Sequence, residues 1–119
     1  MRTHRSLDAW KEARQVTCLV IIAAREHWRP WAAALFSQLQ RAALSVQLNL
    51  AEGASFGPSA THTRHLAIAY GSAVEAWELI EHLVEAEVIP TELASELVAH
   101  SRRSRALLVG LLKRHRPMN

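Results

Sequence analysis

Cys18 is the only cysteine in 119 residues, so neither an intramolecular disulfide nor a thiolate metal cluster is available. Glycine and proline number four each, and the aromatics are four tryptophans, two phenylalanines and one tyrosine. That shortage of turn formers and strand formers argues against a sheet. The longest apolar run, residues 18–24, is far below the roughly 20 residues needed to span a bilayer. Arg2, His4, Arg5 and Asp8 stand where a signal peptide is apolar, which predicts a soluble, cytoplasmic protein with no membrane partner. The chain has no Gly-x-Ser-x-Gly elbow, no phosphate-binding P-loop and no Gly-x-Gly-x-x-Gly turn. Enzyme is therefore the least supported class, and no cofactor is expected.

Half of the residues are hydrophobic, with alanine and leucine dominant, in a length that encloses one core. The expectation is a single all-α domain over residues 1–119, an antiparallel up-down four-helix bundle. Pro30, the 53–58 stretch and Pro90 divide the chain into helices over about 7–27, 31–52, 59–86 and 91–115. Gly53 is expected to stop the second helix, and Thr91 to cap the fourth.

The second helix carries three stripes. Leu35, Leu39, Ala42, Ala43, Val46 and Leu50 form a core face, and Gln38, Arg41, Ser45, Asn49 and Glu52 form a polar stripe beside it. Leu44, Leu48 and Ala51 make a second apolar seam. A monomer would leave those leucines in water, so the seam predicts an oligomer interface.

Net charge is a modest +3, but it is unevenly spread. Glu75, Glu78, Glu81, Glu85, Glu87, Glu92 and Glu96 crowd one stretch, and no acid follows them. Arg102, Arg103, Arg105, Lys113, Arg114 and Arg116 fill that acid-free tail. Leu93, Leu97, Ser104, Leu108 and Leu111 supply the buried stripe of the fourth helix, and all six cations are expected to point away from it. An eleven-residue step is three turns plus about 20°, which aligns Arg102 with Lys113, Arg103 with Arg114, and Arg105 with Arg116. Such rows read either as a solvated face or as contacts for the phosphates of RNA or DNA.

The run Gln38-Leu-Gln-Arg41-Ala42-Ala43-Leu-Ser45-Val46-Gln-Leu-Asn49-Leu50-Ala51-Glu52-Gly53 resembles the signature of a four-helix-bundle family named for proteins encoded in 23S ribosomal RNA intervening sequences. Leu66-x-x-Ala69-x-Gly71-Ser72-x-x-Glu75 looks like a second family segment, and Leu7-x-x-Trp10-x-x-Ala13 like its opening motif, with Trp10 as the core tryptophan. The resemblance implies a cytosolic bacterial bundle that assembles as a ring-like homopentamer. A similar branch, the accessory variability determinants of diversity-generating retroelements, implies RNA and a reverse transcriptase or other protein as partners. The sequence departs from the pattern at Gln40, where a second arginine is frequent, at Ala76, where leucine is common, and after Gly53, where a basic residue is usual.

Arg41, Ser45, Asn49, Glu52 and Gly53, together with Gly71, Ser72 and Glu75, are expected to form a polar network that fixes helix register, with the small patch at Gly71 and Ser72 admitting another helix closely. His62 and His65 lack further ligands at metal-binding spacing and read as a surface pair; no metal is expected. Cys18 reads as an inert buried residue, and Trp28 and Trp31 as packing across the Arg29-Pro30 joint or against another subunit. Together with the pentamer that the resemblance implies, these features predict a non-catalytic homopentameric scaffold that associates with RNA through the fourth helix. The alternative is an oligomeric interaction module that docks an acidic protein partner.

Overall fold

A computed structural model describes residues 7–115, which form four α-helices and no strand. These are α1 (Asp8–His27), α2 (Ala33–Ala54), α3 (Ala60–Glu85) and α4 (Thr91–Arg114), with a 3-10 turn, Pro30–Ala32, leading into α2. Each helix packs on its two neighbours, α1 closing the square against α4, while the backbones of diagonal helices stay apart. Contacts from Thr17 to Ala43, Ser45 to Ser72, Thr63 to His115 and Glu12 to Arg103 all run antiparallel. The arrangement is the expected up-down bundle.

Local chemistry sets the joints. Pro30 restricts Arg29 to extended backbone (φ −138°, ψ 148°), so α1 cannot continue. Gly57 takes φ 64°, and Ser59, also extended, accepts the His62 backbone N–H at 3.1 Å to cap α3. At the far end of α3, Glu87 adopts φ 54° and the Val88 N–H closes on the Leu83 carbonyl at 3.0 Å. Val88 and Leu83 are both buried, which completes a Schellman stop with its hydrophobic contact.

Two boundaries differ from expectation. Gly53 does not stop α2 but lies inside it; the left-handed glycine is Gly57. Thr91 is the first helical residue rather than the cap, because Pro90 supplies the extended cap position.

The core has two layers. Val20, Phe36, Leu39, Ile80, Leu83 and Leu97 fill one, and Trp10, Leu50, Leu66, Ala69 and Leu108 fill the other. Small side chains, among them Ala43, Ala73, Ala76, Ser101 and Ser104, form a waist between them. Leu35, Leu93 and Cys18 are only partly buried, short of full core positions. Trp28 and Trp31 are 50% and 68% exposed, so packing across the turn does not cover them.

Candidate nucleic-acid interface

Burial of Ala94, Leu97, Ser101, Ser104, Leu108 and Leu111 turns the cations of α4 outward, Arg105 only partly so. Arg116 lies outside the described residues. The row is not uniform, because its two flanks meet different helices. On the α1 flank, Arg103 Nη1 donates to Glu12 Oε1 at 2.7 Å, and His100 Nδ1 holds the other carboxylate oxygen. Burial pushes the Glu12 carboxyl up, but hydrogen bonds and charge from His100 and Arg103 outweigh it and hold the group below its ordinary range. Arg103 is thereby neutralised within the subunit.

On the α3 flank, the guanidinium carbons of Arg102 and Arg105 lie over the Trp77 ring, 5.4 and 5.1 Å from its centre. Among the described residues, Arg102, Arg105, Lys113 and Arg114 form no ion pair. For Lys113 and Arg114 the reason is positional. Thr63 meets His115 and Trp77 meets Arg102 and Arg105, so residues 60–74 of α3 run beside the part of α4 that follows Arg105. Neither segment contains an acid. Of the α3 glutamates, Glu75 and Glu78 flank Trp77 in sequence but form no ion pair with Arg102 or Arg105 among the described residues, and Glu81 and Glu85 lie farther toward the opposite end of the bundle.

Between α2 and α3 the polar motif is partly assembled. Ser45 and Ser72 hydroxyls share a hydrogen bond of 2.7 Å, and Asn49 Nδ2 donates to the Ser45 carbonyl at 2.9 Å and to its hydroxyl at 3.2 Å. Asn49 Oδ1 pairs with His65 Nδ1 at 2.8 Å, and Glu52 lies 3.9 Å from that nitrogen. Residues 5–110 match the family described as 23S rRNA-intervening sequence protein. The chain belongs to that family. No curated protein is significantly similar to it.

Not all of the motif joins the network. Arg41 and Glu75 are exposed and form no hydrogen bond or ion pair among the described residues. Gly71 is exposed with nothing within 4 Å of where a Cβ would stand, so within the subunit the close approach is made at Gly53 instead. A Cβ on Gly53 would lie 2.8 Å from His65 Cβ and 3.0 Å from His62 Cδ2. Bare backbone at that point lets α2 and α3 touch, and the touching residues are the two histidines.

His62 and His65 are therefore not a surface pair. His62 is buried, with neither ring nitrogen hydrogen-bonded among the described residues, and its ring packs edge-on against His115. His65 stacks on Phe56, centroids 5.6 Å apart. The legible signal was spacing: residues 62, 66, 69, 73, 76, 80 and 83 recur at three and four and are all buried. The described residues hold no group of three His, Cys, Asp or Glu side chains placed to hold a metal ion.

The second seam of α2 is exposed at Leu44 and Leu48, whereas Ala51 is partly buried against the core. Leu44 shares a groove with Thr17, Val20, Ile21 and Gln40, and Ile21 is 52% exposed. Among the described residues, no helix is long and apolar enough to cross a membrane.

Proposed function

We propose that this chain is a non-catalytic scaffold that self-associates as a homopentamer and holds RNA through the cations of α4. The observation that carries the RNA reading is the separation of charge along α3 and α4. Arg102, Arg105, Lys113 and Arg114 are held by no carboxylate among the described residues, and α3 carries no acid before Glu75, so their charge is left for an external polyanion. Arg103 is removed from this set by Glu12. Self-association is supported by the exposed Ile21, Leu44 and Leu48 side chains and by Arg41, Gly71 and Glu75, exposed motif residues with no partner among the described residues.

The test is light-scattering mass with and without a structured RNA, at about 50 and about 200 mM salt. The comparison protein carries Arg102→Glu, Arg105→Glu and Lys113→Glu. The expected result is a pentamer that gains RNA mass at low salt, loses it at the higher salt and fails to gain it in the variant. A pentamer that ignores RNA under both conditions overturns the RNA reading and transfers the basic face to an acidic protein partner. Leu44→Glu combined with Leu48→Glu is expected to lower the mass; an unchanged mass would move the subunit contact elsewhere.

A further inference from the structure

We propose that the flank of α3 beside α4, from Trp77 to Tyr70, is a binding site for single-stranded nucleic acid, with Arg102 and Arg105 on its phosphates and Tyr70 stacking on a base. The inference rests on the RNA reading above and narrows it from nucleic acid in general to an unpaired strand.

The first support is how Trp77 holds its two arginines. A guanidinium stacked on an indole engages its flat face and leaves its N–H edge to hydrogen-bond elsewhere. With both guanidinium carbons within 5.4 Å of one ring centre, and no ion pair among the described residues, two such edges are left to donate to phosphate oxygens. Contact with the ring restrains both long side chains, which lowers the entropy lost on binding.

The second support is Tyr70. It stands seven residues before Trp77, hence two turns along the same flank of α3 and about 10 Å away. Tyr70 is 36% exposed, and Val74 between the two aromatics is 37% exposed. An exposed aromatic beside cations offers a face to unstacked bases; a duplex presents backbone and base edges and gains nothing from it.

Charge sets the direction of the strand. Beyond Trp77, Glu78 and Glu81 repel phosphate, while from Trp77 toward the start of α3 the one acid is Glu75, and α4 carries none from Arg102 to Lys113. The strand therefore leaves the arginine pair toward the end of the bundle where α3 begins.

Fluorescence anisotropy with labelled oligouridine of about 15 nucleotides, against an RNA duplex of the same length, tests the site on the full chain. The expected result is strand binding about tenfold or more tighter than duplex binding. Tyr70→Leu, which keeps apolar bulk but removes the ring, should weaken strand binding by roughly 5- to 100-fold and leave duplex binding unchanged, while Tyr70→Phe retains it. Arg102→Gln with Arg105→Gln should lower the salt slope by about 1.4, two phosphate contacts on a single strand. Equal affinity for strand and duplex, or a folded Tyr70→Leu protein that binds as wild type, overturns this site and leaves the RNA reading standing. Binding of neither probe overturns both.

Discussion

The rings of His62 and His115 meet edge to face, 4.4 Å between centroids and 60° between planes, where α3 starts and α4 ends. Thr63 ties the same place by donating to the His115 carbonyl at 3.2 Å. Burial pushes the ionisation of His62 down, and the neighbouring charges of His115 and His65 push it further, with the Gly57 carbonyl acting the other way. The folded state therefore binds fewer protons at His62 than the unfolded chain. Stability is full above the ordinary histidine range and is lost as pH falls below about 6.5. Glu12 adds a second loss at lower pH, since its depressed carboxyl contributes stability that disappears when it is protonated. Melting temperature should accordingly fall in two steps on acidification, and His62→Phe should flatten the first while keeping the second. An unchanged first step in that variant would assign it to another group.

Gly53 and Gly71 both sit inside helices of the family motif, yet alanine should act oppositely at the two. Helix propensity alone favours alanine by about 1 kcal/mol. At Gly53 the new methyl lands 2.8 Å from His65 Cβ, which no side-chain rotation relieves, and overpacking of this kind costs about 1–3 kcal/mol. Gly53→Ala should be net destabilising in denaturant unfolding, and Gly71→Ala, with open space around it, neutral to stabilising in the subunit. A loss of stability or of oligomer mass in Gly71→Ala would place that surface against another subunit.

Asn49 should be the most sensitive residue of the polar motif. Its amide donates to Ser45 and accepts from His65, so Asn49→Ala strands two partly buried partners at once. A cost of about 1–3 kcal/mol is expected. Arg41→Ala and Glu75→Ala, at exposed positions outside the network, should stay within about 0.5 kcal/mol when the unfolding of the subunit is measured. Equal effects at all three positions would mean that the motif acts as one unit.

Helix periodicity carried most of the fold, and it failed where residue type was allowed to outweigh position. The stripe from Leu39 to Leu50 on α2 is buried as its spacing implies, and His62 obeys the same rule on α3, although histidine is polar. The glycine that permits close approach was harder to place. Gly53 and Gly71 look alike along the chain, and only the separation of α2 from α3 distinguishes them. The division of the basic row was not legible at all. Trp77 under two arginines, and Glu12 on Arg103 across 91 positions of sequence, are products of the antiparallel register and leave no local spacing to read.

That division makes Glu12 a control on the interface even though it lies on a different helix. Its carboxylate is mostly buried while the Arg103 side chain remains 58% exposed, so the pair contributes less to stability than its 2.7 Å distance implies. Its larger effect is on charge. If α4 holds RNA, Arg103→Gln should leave the salt slope of binding nearly unchanged, because that cation is already neutralised. Arg102→Gln should reduce the slope by about 0.7 on a single strand. Glu12→Gln should do the reverse of both: it releases Arg103 to the strip, tightens RNA binding and steepens the slope by about 0.7. Anisotropy titrations at three salt concentrations separate the cases. A Glu12→Gln protein with wild-type slope would show that Arg103 lies off the path of the strand, and would confine the interface to the flank of α4 that faces Trp77.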